Sequence, residues 1–191
     1  PVTNGLAFLP MVGVLMVTAQ VATNVLVPTI GPKVVVPVGL LLAAVGMAWL
    51  TRLDLQSTYA AHVLPPLVVI GAGIGLSMPA AMSQATLGVR AGDQGVASAT
   101  ANTSQQIGGA ISTALLNSLA TGAAATYVAQ HLSNPLVQAD AALHSYSTAY
   151  SWSAGFFAVG AVVTALLFRG KTQSGQQPPT ATAQERPALS A

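Results

Sequence analysis

The chain has 191 residues, a mean hydropathy of +0.63, 52% apolar side chains and a formal net charge of +2 from six basic and four acidic residues. A water-soluble domain of this size carries about 25% charged residues, against 5% here, so charge cannot cover a water-facing surface and the natural solvent is lipid. So small and scattered a charge gives no footprint for nucleic acid, and the absence of cysteine excludes a disulfide framework and a thiolate metal site.

Five apolar segments approach the ~20 residues that cross a bilayer as a helix, and the alternating ten-residue segments of a β-barrel are not seen. The expected fold is therefore an all-α integral membrane bundle over residues 1–171, followed by a tail. The chain opens on Pro1, and residues 1–5 read as a loop entering a helix. No signal-peptide pattern is present, so the chain is expected to be the C-terminal part of a longer membrane protein.

The first segment spans residues 5–27. It contains Pro10, which removes a helix hydrogen bond and is expected to kink it, and a small polar set of Gly13, Gln20 and Asn24. A short connection follows with Gly31 and Lys33, the pair expected to gate or bend the chain there. The second segment, 34–50, is apolar nearly all round. After a longer connection, the third segment, 64–87, opens with Pro65 and Pro66, where missing amide donors cost little. Its Gly71-x-x-x-Gly75 repeat lets two backbones approach closely. Gly73, Ser77 and Gln84 form its polar set, and Pro79 is expected to kink it. The fourth segment, 94–120, has Asp93 at the N-cap position. Residues 121–149 read as a long connection, with His131 and His144 as solvated loop residues and no further ligands at metal spacing. The fifth segment is 150–168. Residues 172–191, rich in Pro, Gln, Thr and Ala, read as a disordered cytoplasmic tail.

Charge sets the expected orientation, because short cytoplasmic loops collect Lys and Arg. With alternating helices, Lys33, Arg90, Arg169 and Lys171 share one side and Arg52 lies opposite. That puts the C-terminus in the cytoplasm of a plasma-membrane protein. Were the fourth segment not to span, the bias would become two against three, so parity favours spanning. Trp49 and Trp152 then both fall at the outer interface, where amphipathic rings prefer to sit.

The fourth segment carries the densest polar run. At ~100° per residue, Ser98, Asn102, Gln105, Gly109 and Ser112 fall on one narrow face; Gln106 and Thr113 widen it, and Ile107, Ile111 and Leu115 lie opposite. Thr103 and Ser104 lie off the stripe, where their hydroxyls can bond back to carbonyls one turn earlier. Amides facing lipid would be unsatisfied, so the stripe must face other helices or water. Gln20, Asn24, Gln84, Asn102, Gln105 and Gln106 all lie toward the cytoplasmic half. One reading is interhelical glue, worth about 0.6 kcal/mol per hydrogen bond on average. The other is a shared water-accessible substrate cavity, which confinement of the amides to one leaflet favours for the set.

No phosphate-binding loop, nucleophile elbow or HExxH helix appears, so neither an enzyme nor an ATP-driven pump is indicated, and no cofactor or metal is implied. Asp54, Asp93, Asp140 and Glu185 all fall in connections or the tail. Proton relays need ionisable groups inside the membrane; if the protein is proton-coupled, the titrating residue precedes Pro1.

The order Gly5-Leu-Ala-Phe-Leu-Pro10, Gly31-Pro-Lys33, Gly71-Ala-Gly-Ile-Gly75 with Pro79, Gly95-Val-Ala-Ser98 and Asn102-Thr-Ser-Gln-Gln-Ile-Gly-Gly109 resembles the C-terminal part of major facilitator superfamily transporters. The similarity covers about residues 1–171 and is closest to the fourteen-helix drug:proton antiporter branch, the bacterial multidrug efflux proteins. It implies the last five of fourteen helices, packed against N-terminal helices of the same protein. It also implies a drug cavity between two bundles that opens alternately to each side. Gly31-Pro-Lys33 looks like a reduced copy of the superfamily's basic cytoplasmic loop, lacking its acidic and further basic residues. The implied activity is export of hydrophobic or amphiphilic drugs and antibiotics by proton antiport. Alternatives are a facilitator of another metabolite, a membrane protein whose polar stripe only assembles subunits, and an inactive truncated product.

Overall fold

The computed structural model describes residues 2–131 and 136–169. Among them every regular element is helical, and five helices are long and apolar enough to cross a membrane. Helix α1 runs through Val2–Val21, a π-helical turn at Ala22–Leu26 and a last turn at Val27–Ile30. Helix α2 is Pro32–Leu50. Helix α3 starts with a π-turn at Tyr59–Val63 and continues over Leu64–Thr86. A 3₁₀ turn at Ala91–Asp93 leads into α4, Gln94–Gln130, and α5 is Val137–Arg169. Asp93 occupies the N-cap position of α4 but makes no side-chain capping bond. The tail assigned to residues 172–191 lies outside the described residues.

Helix α3 is the centre. It packs extensively against α1 on one side and α2 on the other; α2 also packs on α5, and α5 on α4, which touches α3 only lightly. Glycine makes both central contacts. A Cβ on Gly71 would stand 2.6 Å from the Met11 carbonyl oxygen, and one on Gly75 would stand 2.5 Å from that of Leu15. Gly73, about 200° round the helix from Gly71, faces α2: a Cβ there would meet the Gly39 carbonyl and the Ala43 amide nitrogen at 2.5 Å. The backbones are thus already in contact, and dispersion is gained where no side chain intervenes. Ile70 and Pro66, both fully buried, continue the α2-facing side. A second cluster of Ala22, Val35, Val36 and Ala80, covered by Phe168, closes the Gly31 end.

Pro10 and Pro79 lie inside continuous helices, and two π-turns interrupt the α-geometry elsewhere. Each precedes proline. A proline ring collides with the carbonyl four residues back, and for Pro28 that residue is Asn24, while for Pro65 and Pro66 they are Ala61 and His62. All three lie inside the widened turns, where the wider loop relieves the collision. Gly31 then joins α1 to α2 alone: its φ is +80° with ψ +157°, its amide donates to the Val27 carbonyl at 3.1 Å, and its own carbonyl accepts from Val35 at 3.4 Å. Only glycine visits that backbone region readily, so Gly31 is a one-residue turn between spans.

The long connection expected over residues 121–149 is instead helical on both sides of the undescribed 132–135. At ~1.5 Å per residue, the 37 residues of α4 reach about 55 Å, well beyond a ~30 Å hydrocarbon core. A hydrogen bond from Ser147 Oγ to the Thr51 carbonyl, 3.3 Å, sets α5 level with the end of α2. The first ten residues of α5 therefore project about 15 Å beyond that level. Trp49 and Trp152, each about half exposed, lie within two turns of it at the same end of the bundle.

The α3 contacts predict a contrast between glycines. Gly73→Leu should destabilise the full-length protein by about 1–3 kcal/mol through overpacking. Gly155→Leu on α5, where a Cβ meets nothing within 4 Å, should leave thermal stability in detergent within about 0.5 kcal/mol of wild type.

Candidate functional site

The candidate polar residues separate into three groups. On α1, the α3-facing line is Met11, Leu15, Thr18 and Ala22. Gln20 and Asn24, roughly 180–220° round the helix, lie on the opposite face and are exposed. They interact with each other across one turn, Asn24 Nδ2 donating to Gln20 Oε1 at 3.4 Å. Asn24 sits inside the π-turn, a feature that no periodicity in the sequence announces, though Pro28 four residues later is its signal.

On α3, Ser77 belongs to the α2-facing side and is buried. Its hydroxyl donates to the Gly73 carbonyl at 2.9 Å, and its Cβ lies 3.0 Å from where a Gly39 Cβ would stand. Gln84, two turns on, shares that face by register and is half-buried. The structure thus puts Ser77 in helix packing, away from the other candidates. The reason is local: the small residues that made the polar set also allow the closest approach, so α2 occupies that face.

On α4, Ser98 and Ser112 are half-buried, while Asn102, Gln105, Gln106 and Gly109 are exposed. Ile107, Ile111 and Leu115 on the back are exposed as well, by 56%, 62% and 43%. The face carrying the stripe continues beyond Ser112 through Leu116, Ala120, Ala123 and Tyr127, all half-buried and in line with it. One seam therefore runs the length of α4. Its apolar half faces the start of α5, where Ala124 and Val128 line one shared groove with Ala141 and Ser145. Its amide half meets the rest of the bundle at one polar contact, Gln105 Nε2 to Met78 Sδ at 3.3 Å. Met78 is 44% exposed, on the α3 surface that α1 and α2 leave uncovered. Thr100 and Thr113 return their hydroxyls to carbonyls four residues back; among the described residues Thr103 and Ser104 make no such bond.

Pro10 is exposed, Pro79 and Lys33 half-buried, and Gly31 forms the turn described above. His131 is the non-helical C-cap that follows α4, whereas His144 lies on α5. Both are exposed beside Tyr127, with ring centroids 4.2 Å and 5.3 Å away, and the described residues hold no cluster of three metal-ligating side chains. The proximity of Met78 to Gln105 predicts that a Met78→Cys/Gln105→Cys pair cross-links with a copper–phenanthroline oxidant, whereas Met78→Cys/Ile111→Cys does not, as read by mobility after proteolysis between α3 and α4.

Comparison with known proteins meets this geometry from another direction. The chain is 38% identical over 180 residues to the puromycin resistance protein pur8 of Streptomyces alboniger, a match covering 93% of this chain and 36% of that protein. It is 33% identical over 112 residues to the cephamycin export protein CmcT of Amycolatopsis lactamdurans, covering 59% of this chain and 23% of that protein. The chain thus spans about a third or less of the length of these relatives. Residues 1–113 match the family model of the Major Facilitator Superfamily. With five apolar helices, no strand among the described residues and a family match over more than half its length, this multi-pass membrane chain belongs to the major facilitator superfamily, a family of transporters rather than enzymes.

Proposed function

We propose that the chain is the C-terminal part of a secondary-active exporter. It would move hydrophobic or amphiphilic drugs, antibiotics among them, out across the plasma membrane in exchange for protons and by alternating access. The observation that carries this reading is the α4 seam: amides at one end, an oily docking surface at the other, and an apolar back. Exposed Asn102, Gln105 and Gln106 offer hydrogen bonds of either sense, and Met78 beside them offers adaptable apolar area. Such a surface demands no single charge pattern, which suits varied substrates. The names of the two relatives, a resistance protein and an export protein, point the same way.

In this reading Gln20 and Asn24 face the other helices of the full-length protein, and the substrate passes between those helices and α4. The five spans hold no carboxylate or histidine at mid-depth, so the proton-binding group belongs to helices preceding this chain. The loop charges favour Lys33, Arg90 and the C-terminus on the cytoplasmic side, with the α4–α5 hairpin outside. For Ser77 the packing role is preferred to a cavity role, because its face is filled by α2.

Replacing Asn102 and Gln105 together by Leu in the full-length protein tests the proposal. Taking ~1.4 kcal/mol for the pair, efflux of a panel of amphiphilic antibiotics and dyes should fall about tenfold at equal expression. Unchanged efflux assigns both residues to packing. Orientation is checked separately: in a cysteine-free background, Lys33→Cys and Ala123→Cys should label from opposite sides of the membrane with an impermeant maleimide. Labelling from the same side contradicts a spanning α4.

A further inference from the structure

Helix α2 sorts its residues by size. Gly39, Ala43, Ala44 and Gly46 are buried, and a Cβ on Gly39 or Gly46 would stand within 3.0 Å of an α3 carbonyl oxygen. The residues left over, Val34, Val38, Leu41, Val45 and Trp49, fall within about 80° of one another and are 44–57% exposed. Between Lys33 and Trp49 no side chain of α2 carries a nitrogen or oxygen atom. Helices in lipid associate through runs of small residues or through side-chain hydrogen bonds. Because α2 turns its small residues to α3 and has no polar group here, this branched aliphatic face is shaped for acyl chains rather than for a further helix.

At the Thr51 end the face changes character. Val45, Ala48, Trp49 and Arg52 line one open groove, and the Arg52 amide, donating to the Trp49 carbonyl at 3.1 Å, fixes the last turn. Arg52 is exposed, and its guanidinium has neither an ion pair nor a hydrogen bond among the described residues. Asp54, two residues on, does not neutralise it. That carboxylate is engaged within its own turn, where Oδ1 accepts from the Gln56 amide and the Ser57 hydroxyl, both at 2.9 Å. An indole and an unpaired cation therefore cap a strip of aliphatic surface. From Val45 back to Val34 that strip runs about 16 Å, one leaflet of a ~30 Å hydrocarbon core. A phospholipid presents the complementary order: an anion above its acyl chains.

We propose that this end of α2 is a binding site for one anionic phospholipid. The Arg52 guanidinium forks onto the phosphate oxygens, Trp49 lies at the level of the glycerol esters, and one acyl chain runs down Val45, Leu41 and Val38. A zwitterionic headgroup carries its own cation, which competes with the guanidinium for the phosphate, so a lipid of net negative charge is preferred. The site shares no residue with the α4 seam and does not rest on the export reading; it requires only that α2 spans the bilayer.

The test uses the full-length protein with Trp49 as its one tryptophan, the others replaced by Phe. It is placed in nanodiscs of mixed phosphatidylcholine and phosphatidylglycerol, with bromine on the acyl chains of one lipid or the other. Bromine quenches indole fluorescence on contact, so quenching against composition gives the relative affinity of the two lipids at Trp49. Phosphatidylglycerol should be preferred about fivefold, the effect of one arginine at a membrane surface. Arg52→Ala should abolish that preference, and Arg90→Ala, at the other end of the bundle, should leave it intact. Equal affinity in the parent protein means ordinary boundary lipid and overturns the site. A preference that persists in Arg52→Ala does the same. So does loss of the preference when inorganic phosphate replaces chloride at constant ionic strength, since a bare anion then suffices. Quenching by neither lipid means that preceding helices cover the face, and also overturns the proposal. If the single-tryptophan protein does not fold, native mass spectrometry of the otherwise wild-type protein decides: equal retention of phosphatidylglycerol by the parent and by Arg52→Ala overturns the site.

Discussion

Backbone-to-backbone contact through glycine on two sides of α3 is the constraint from which the rest of the arrangement follows. Between helices in lipid the hydrophobic effect supplies little, so association rests on close packing and a few polar contacts. Gly71 and Gly75 bring α1 against α3, and Gly73 with Gly39 brings α2 against its other side. Once both flanks are taken, only the Met78 surface of α3 is left for α4. Because α4 is held mainly by α5 and touches α3 only lightly, its amide half, linked to α3 by the Gln105–Met78 bond, stays exposed. Tight packing in the middle and loose packing at α4 are two consequences of where the glycines stand.

Much of this was legible in the residues. Apolar runs gave five helices, Gly71-x-x-x-Gly75 gave a close approach, and the α4 stripe with its oily back was visible from spacing alone. What spacing cannot give is the neighbour. Periodicity showed that Gly73, Ser77 and Gln84 share a face, but not that α2 would fill it. It likewise grouped Gln20 and Asn24 with the α4 amides by depth, whereas the structure turns them away from α3 and leaves them on a separate surface. Depth along an axis is one coordinate; the angle around it depends on partners elsewhere in the chain.

The helix ends were misjudged for another reason. Hydropathy reports where lipid stops, not where a helix stops. Residues 121–130 hold four alanines and residues 137–149 another four, and alanine has the highest helix propensity. The helices therefore continue through both stretches, so His144, expected in a loop, stands on α5, and it and the C-cap His131 both neighbour Tyr127. The π-turn at Ala22–Leu26 had a readable cause in Pro28, since the ring collides with a carbonyl inside that turn. Pro10 and Pro79, the prolines singled out by position, lie inside continuous helices instead.

The central claim is that α4 turns its amides toward water and its aliphatic back toward lipid. Single cysteines at positions 98, 102, 105, 107, 109, 111, 112 and 115 of the full-length protein, reacted with a charged methanethiosulfonate, test it most directly. The account predicts rates that follow the helical period, fast at Asn102, Gln105 and Gly109 and slow at Ile107, Ile111 and Leu115. Uniform rates, or fast reaction on the isoleucine side, would contradict it.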